Sequence, residues 1–131
     1  MEKPKRVYLV DDDPDDRYLV CEALTQVSAD ITIIEAIDGQ HFFELIGDTS
    51  PDSPALILLD VNMPRMDGLE TLSKIKTKPS LAALPIVMFS TSGNQTLIEQ
   101  AHREGVTAFF VKPTSFEGYI EFAAIIAGHL H

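Results

Sequence analysis

Five short apolar runs, separated by amphipathic stretches, limit how this 131-residue chain can fold more than any other feature of its sequence. The runs are rich in Val, Ile, Leu and Phe, and most are nearly continuous rather than alternating. Such runs are typical of strands that are covered on both faces of a sheet. The five runs are Val7–Val10, Ile31–Ala36, Leu56–Leu59, Ile86–Phe89 and Ala108–Val111.

Helical periodicity follows each of the five runs. Apolar residues recur there at the spacing of one helix face, with charged residues between them. The second helix is predicted to end in the Gly47–Pro54 stretch, which contains Gly, Ser and Pro, and the fourth is predicted to end at Gly105. The apolar helical residues span Tyr18–Val27, Phe42–Ile46, Leu69–Ile75, Leu97–Ala101 and Tyr119–Ala127.

The alternation of strand and helix predicts the fold class. Repeated five times, it implies parallel strands joined by right-handed crossovers, and therefore a three-layer α/β sandwich. A five-stranded unit of this size most often has the doubly wound, flavodoxin-like strand order 2-1-3-4-5. The length suits one domain, and the last helical pattern ends almost where the sequence does. We therefore expect residues 1–131 to form a single domain with no output domain.

The sequence is acidic, with 20 Asp and Glu against 10 Lys and Arg and a net charge of −10. This balance argues against direct binding to nucleic acid or to an anionic membrane, because both repel negative surfaces. The charged segment Met1–Arg6 does not predict a signal peptide, and no apolar run approaches the roughly 20 residues of a membrane-spanning helix. A lone Cys21 suits a reducing compartment. We expect a cytoplasmic protein.

A quarter of the acidic residues lie in Asp11–Asp16, where five of six positions are Asp. Carboxylates crowded after a strand are suited to a hard cation such as Mg²⁺ or Ca²⁺, which takes oxygen ligands. Helix capping is the alternative: Asp13 as N-cap, Pro14 in the first helical position and Asp15–Asp16 at the positive end of the helix dipole. Capping does not explain Asp11–Asp12, which come too early in the chain.

Polar residues follow four of the predicted strands. In an open parallel sheet, ligands bind beyond the carboxyl ends of the strands, near the point where the strand order reverses. The first strand ends at Asp11–Asp12, the third at Asp60, the fourth at Ser90 and the fifth at Lys112. In the order 2-1-3-4-5 these strands are contiguous. Three carboxylates, a hydroxyl and an ammonium are therefore predicted to meet at one edge.

This set of side chains suits phosphoryl transfer. A divalent cation keeps neighbouring carboxylates ionised, and a carboxylate so neutralised can attack phosphorus to form an aspartyl phosphate. Asp60 is the best-placed nucleophile, because it lies centrally between the acid pair and the other side chains. Lys112 and Ser90 supply a positive charge and a hydrogen-bond donor to the phosphoryl oxygens. Each residue alone has an ordinary explanation in a turn or on the surface, but four together do not.

Four motifs connect these residues to a known family. They are V-Y-L-V-D-D-D-P-D-D-R at 7–17, L-I-L-L-D-V-N-M-P-R-M-D-G at 56–68, L-P-I-V-M-F-S-T-S at 84–92 and A-F-F-V-K-P at 108–113. With them, the sequence resembles the receiver domain of bacterial response regulators, the CheY-like family, over essentially its whole length. The resemblance implies a signalling phospho-acceptor of two-component systems and phosphorelays rather than an enzyme.

The resemblance also implies a mechanism. Asp60 would take a phosphoryl group from a sensor histidine kinase or a histidine phosphotransfer protein and would later lose it by hydrolysis. Mg²⁺ would be required, with Mn²⁺ as a possible substitute. Asp12 and Asp60 would bind the ion directly, Asp11 mostly through water, and the backbone carbonyl of Asn62 would complete the shell. The triple aspartate leaves the register open, and Asp11 with Asp12 fits the family better than Asp12 with Asp13.

By the same resemblance, Ser90 would move toward the phosphoryl group and Phe109 would turn inward behind it, at a position where Tyr is common in the family. Asn62 and Ser92 occupy positions similar to those that tune the rate of dephosphorylation. Pro113 would follow a cis peptide bond. The fourth helix, fifth strand and fifth helix would contact a downstream protein target or form a homodimer.

Two alternatives use similar residues. Haloacid-dehalogenase-like phosphohydrolases combine an aspartate nucleophile with Ser or Thr, Lys and a metal-binding acid pair. Their nucleophile, however, is in a D-x-D motif on the first strand, whereas Asp60 comes later and is followed at +2 by Asn62. The second alternative is a pseudo-receiver, a binding module that is never phosphorylated. Such modules usually lack an acid or the lysine, and this sequence lacks neither.

Overall fold

The five predicted strands form one parallel sheet in the order β2-β1-β3-β4-β5, so the predicted fold is confirmed. The computed structural model describes residues 5–47 and 55–130. The first four residues of the charged segment Met1–Arg6 and most of the predicted loop Gly47–Pro54 lie outside these ranges. The strands are β1 (Lys5–Val10), β2 (Ile31–Ala36), β3 (Ala55–Asp60), β4 (Ile86–Ser90) and β5 (Ala108–Val111).

Each helix begins one to four residues before its first periodic apolar side chain and follows a polar N-cap. The cap side chains, which are Asp13, Asp38, Asp67, Asn94 and Ser115, accept hydrogen bonds from backbone amides of the first helical turn. No helix in residues 5–47 and 55–130 has the length and apolar character needed to cross a membrane. The helices are α1 (Pro14–Val27), α2 (Gly39–Ile46), α3 (Gly68–Lys76), α4 (Gln95–Arg103) and α5 (Phe116–Gly128).

The core has two layers, one on each face of the sheet, and the central strand β3 contributes to both. Ile57 and Leu59 pack with α2, α3 and α4, whereas Leu56 and Leu58 pack with α1 and α5. All four side chains are fully buried, and each such burial contributes about 1.5–3 kcal/mol. Asp60 therefore ends a strand that has no solvent-facing side.

Candidate functional site

Three carboxylates meet at the carboxyl edge of the sheet. Val10 on β1 pairs with Leu59 on β3, so the next residues, Asp11 and Asp60, lie side by side. With Asp12 they offer ligand oxygens that all lie within 4.8 Å of one another. Asp11 and Asp60 are buried and Asp12 is exposed, so the cluster opens to solvent on one side. This all-oxygen set fits a hard divalent cation such as Mg²⁺ or Mn²⁺.

Lys112 directs its ammonium into the carboxylate cluster. Its Nζ lies 3.0 Å from Asp11 Oδ2, 3.4 Å from Asp60 Oδ1 and 2.7 Å from Asp16 Oδ2. The same ammonium stands over the ring of Phe89, 4.9 Å from its centroid. Burial alone would lower the pKa of Lys112, but its hydrogen bond to Asp16 and the charges of Asp11 and Asp60 raise it above the ordinary range. Lys112 is therefore a fixed positive charge.

The carboxyl group of Asp60, the candidate nucleophile, has a strongly raised pKa. Burial, reinforced by the charge of Asp11, raises the pKa of Asp60 to about 7, although Lys112 acts in the opposite direction. Burial also raises the pKa of Asp11 against the hydrogen bond from the Asp13 amide and the charge of Lys112. In the absence of a cation, the cluster therefore retains a proton near neutral pH.

Ser90 lies at the end of β4, beside Lys112. Its side chain is fully buried, and its hydroxyl oxygen accepts a hydrogen bond from the amide of Ser92 at 3.2 Å. The amide of Lys112 donates to the carbonyl oxygen of Ser90 at 2.7 Å and so joins the ends of β4 and β5. Because Phe89 pairs with Asp60, Ser90 lies one position beyond the nucleophile candidate. The predicted hydroxyl and ammonium thus share the edge with the carboxylates.

The loop that follows Asp60 folds back onto β3. The amide of Val61 donates to Asp60 Oδ1 at 2.9 Å, and the amide of Gly68 donates to the carbonyl of Val61 at 2.8 Å. A side chain at Gly68 would collide with the backbone carbonyl of Asp60. The loop can therefore close this tightly only with glycine at that position.

A sequence profile of the response regulator receiver domain matches residues 7–123. The chain belongs to the response regulator receiver family. It is 39% identical over 112 residues to the nitrate/nitrite response regulator protein NarL of Escherichia coli, covering 85% of this chain and 49% of NarL. It is 36% identical over 114 residues to the response regulator Rcp1 of Synechocystis sp., covering 83% of this chain and 77% of Rcp1. The chain thus spans about half the length of NarL.

Two solved structures have the same fold. The phosphorylated cyanobacterial phytochrome response regulator RcpA superposes with a TM-score of 0.84 at 27% identity, covering 99% of this chain and 94% of RcpA. The Mn²⁺-bound form of Rcp1 superposes with a TM-score of 0.78 at 32% identity, covering 95% and 93%. Receiver domains are signalling phospho-acceptors of two-component systems, and that part of the prediction is confirmed. The family match favours a receiver over a dehalogenase-like phosphohydrolase.

The other predicted residues of the receiver lie on two loops and on β5. Asn62, two residues after Asp60, and Ser92, two after Ser90, are exposed on loops. Phe109 is half-buried on β5 and packs against the apolar layer beneath α2, α3 and α4. These positions are compatible with the tuning and switching roles given to them, and those roles stay predictions.

The predicted cis peptide bond before Pro113 is wrong, because residues 5–47 and 55–130 contain no cis peptide. The trans form is preferred by about 0.5–1 kcal/mol even before proline. Lys112 is oriented by other contacts, namely its backbone hydrogen bond to Ser90 and its ion pairs with Asp11 and Asp16.

Asp16 is a site residue that the sequence interpretation missed. The capping role of Asp13 is correct, since its Oδ1 accepts from the amides of Asp15 at 2.9 Å and Asp16 at 3.4 Å. The carboxylate of Asp16, however, does more than complement the helix dipole, because it makes the shortest contact with Lys112.

The pKa of Asp60 predicts how the stability of the metal-free receiver depends on pH. The folded protein holds a proton up to about pH 7 that the unfolded chain releases near pH 4, so the free energy of unfolding should fall as the pH rises between these values. Mg²⁺ should add more stability at about pH 8 than at about pH 5, since it competes with that proton. Urea unfolding with EDTA or Mg²⁺ measures both effects. An equal gain from Mg²⁺ at both pH values would contradict the prediction.

Proposed function

We propose that Asp60 accepts a phosphoryl group from the phosphohistidine of a sensor histidine kinase or a histidine phosphotransfer protein. The observation that carries this proposal is the position of the Asp60 carboxylate, which offers an oxygen within 4.8 Å of oxygens of Asp11 and Asp12 and lies 3.4 Å from the ammonium of Lys112. A carboxylate oxygen of Asp60 would attack phosphorus, forming a P–O bond as the P–N bond of the donor histidine breaks. Hydrolysis of the acyl phosphate would restore the carboxylate.

The carboxylates of Asp11, Asp12 and Asp60 would hold Mg²⁺, or Mn²⁺ in its place, with the backbone carbonyl of Asn62 as a further ligand. Support comes from the oxygen donor set and from the relative Rcp1, whose structure contains Mn²⁺. The bound ion would keep the carboxylates ionised and offset the negative charge of the incoming phosphoryl group.

The ammonium of Lys112 and the hydroxyl of Ser90 would bind the phosphoryl oxygens on Asp60. Movement of Ser90 toward the phosphoryl group would leave space for Phe109, and its ring, which is half-buried on β5, would then turn toward the site. This change would alter the surface of α4, β5 and α5, where Val111 and Ile125 are exposed. Through that surface the receiver would bind a downstream protein or a second copy of itself, in the cytoplasm.

The experiment that tests the function is phosphorylation by acetyl phosphate, followed by intact mass spectrometry. We expect one phosphoryl group per chain, dependent on Mg²⁺, absent in EDTA and removed by hydroxylamine, which cleaves acyl phosphates. A pseudo-receiver would stay unlabelled with acetyl phosphate and with a panel of phosphorylated histidine kinases. A phosphohydrolase would instead turn over a generic phosphate ester many times per protein molecule. Either result would overturn the proposal.

A further inference from the structure

We propose that Asp38 is a positioning residue for the metal site. Through Arg65 it would hold the loop between β3 and α3 in the shape that keeps Asn62 beside Asp60. The inference rests on the proposed function, because it concerns the same Mg²⁺ site. Asp38 itself lies outside the carboxylate cluster, at the start of α2.

Asp38 is a buried carboxylate with a full set of partners. Its side chain is 1% exposed, and its Oδ2 lies 2.6 Å from Nη2 and 2.7 Å from Nε of Arg65. Its Oδ1 accepts a hydrogen bond from the amide of His41 at 2.9 Å. Burial opposes ionisation, but the His41 amide and the Arg65 guanidinium outweigh it and hold the pKa of Asp38 below its usual range. The ion pair therefore links the ionised, buried carboxylate of Asp38 to the guanidinium of Arg65 on the loop.

Arg65 has a backbone conformation that needs support from its surroundings. Its φ is +64°, and within residues 5–47 and 55–130 no other non-glycine residue has positive φ. This left-handed conformation is unfavourable for a residue with a side chain and persists only where neighbouring contacts impose it. The ion pair with Asp38 is a contact of that kind, made from outside the loop.

The start of α2, which carries Asp38, is closely packed against its surroundings. A side chain at the next residue, Gly39, would collide with the hydroxyl of Thr71 on α3. Thr71 is fully buried, and its hydroxyl donates to the carbonyl of Asp67 at 2.7 Å. The start of α2 is thus packed directly against α3, and Asp38 offers Arg65 an anchor that does not move with the loop.

The expected consequence concerns metal affinity. Without the ion pair, Arg65 can relax to negative φ and displace the loop that carries Asn62, and Mg²⁺ binding would have to restore it. Outer-shell partners that orient metal ligands typically change affinity by about 10–100-fold, and we expect Asp38→Asn to weaken Mg²⁺ binding by about tenfold. Asparagine caps helices as well as aspartate, so the substitution removes the charge and keeps the cap of α2.

Calorimetric titration of the full chain with Mg²⁺ alone measures this effect. The matched control is Asp30→Asn, which removes a carboxylate from an ion pair with Lys5 at the opposite edge of the sheet, at 3.6 Å. The control should bind Mg²⁺ as the wild type does. If the wild type binds no Mg²⁺, the proposed function fails. If the wild type binds Mg²⁺ and Asp38→Asn binds it equally well, only the role of Asp38 is overturned.

A second pair of variants separates positioning from simple loss of stability. Glycine adopts positive φ without strain, so Arg65→Gly should retain tighter Mg²⁺ binding than Arg65→Ala, although both lose the ion pair. Adding Asp38→Asn to Arg65→Gly should then change the affinity little. Circular dichroism confirms that each variant is folded at the temperature of the titration. Equal or tighter binding by Arg65→Ala would contradict the inference.

Discussion

Asp60→Asn is expected to abolish labelling by acetyl phosphate and by a phosphohistidine donor. The amide oxygen of asparagine is a poor nucleophile and cannot form a stable acyl phosphate, so no residual label is expected at this position. Asp11 does not replace Asp60, because its carboxylate is already held by Lys112 and by the Asp13 amide. Intact mass spectrometry with and without Mg²⁺ measures the label.

The matched control is Asp67→Asn, in the loop that follows Asp60. Asp67 caps α3 by accepting from the amide of Glu70 at 2.9 Å, and asparagine can do the same. This variant should be labelled like the wild type. Undiminished label on Asp60→Asn, or loss of label from both variants, would contradict the assignment of Asp60 as the acceptor.

Asp60→Asn should also change stability in a direction that distinguishes it from a damaging substitution. Because the pKa of Asp60 is raised to about 7 by burial and by Asp11, the ionised carboxylate destabilises the metal-free protein at higher pH. Removing it should raise the free energy of unfolding in EDTA at about pH 8 by about 1 kcal/mol or more. The added stability from Mg²⁺ should shrink, since one ligand is lost. Urea unfolding tests both.

Much of the fold could be predicted because strand periodicity is local. The runs Ile31–Ala36 and Ala108–Val111 match their strands residue for residue. β1 begins earlier than predicted, at Lys5, since backbone pairing with Ile31 needs no apolar side chain. β2 is only half-buried because it lies at the sheet edge, and its continuous apolar run did not show that difference. The capped start of α1 at Asp13 and Pro14 was predicted, whereas the starts of the other four helices, which polar caps rather than apolar spacing define, were not.

The site was predictable to the extent that topology decides it. Parallel strands have their carboxyl ends at one edge of the sheet, so the strand order alone predicts that Asp11, Asp60 and Lys112 lie close together. Contacts between loops and helices could not be predicted in this way. The pairing of Asp16 with Lys112 depends on side-chain directions across 96 positions of sequence, which no local pattern encodes.

The same limit applies to the ion pair of Asp38 with Arg65, which joins two loops 27 positions apart. The sequence analysis predicted neither that Asp38 caps α2 nor that it pairs with Arg65. The prediction of a cis peptide bond before Pro113 was wrong for a different reason. The cis and trans forms before proline differ by only about 0.5–1 kcal/mol, so the surroundings decide between them and the motif alone does not.

Lys112→Met is expected to destabilise the metal-free receiver strongly. Methionine has a side chain of similar length but lacks the ammonium that contacts Asp11, Asp16 and Asp60 and lies over the ring of Phe89. Removing one partner of a buried ion pair costs about 3–5 kcal/mol, because the remaining charges stay buried and unpaired. We expect a loss of that order in EDTA, increasing with pH as Asp60 ionises. The control Lys76→Met removes a cation whose Nζ donates to the backbone carbonyl of Ala82 and should cost far less.

Mg²⁺ should restore much of the stability of Lys112→Met, since a divalent cation replaces the missing charge among the same carboxylates. The variant should therefore bind beryllofluoride, a mimic of the phosphoryl group, together with Mg²⁺. The conformational change at Asp60 should nevertheless not reach β5. In the wild type, beryllofluoride should shift the NMR signals of Ser90 and Phe109 and of residues along α4. In Lys112→Met these shifts should be largely lost, because the ammonium that ties the phosphoryl oxygens to the end of β5 is absent. Wild-type shifts in the variant would show that β5 responds without Lys112.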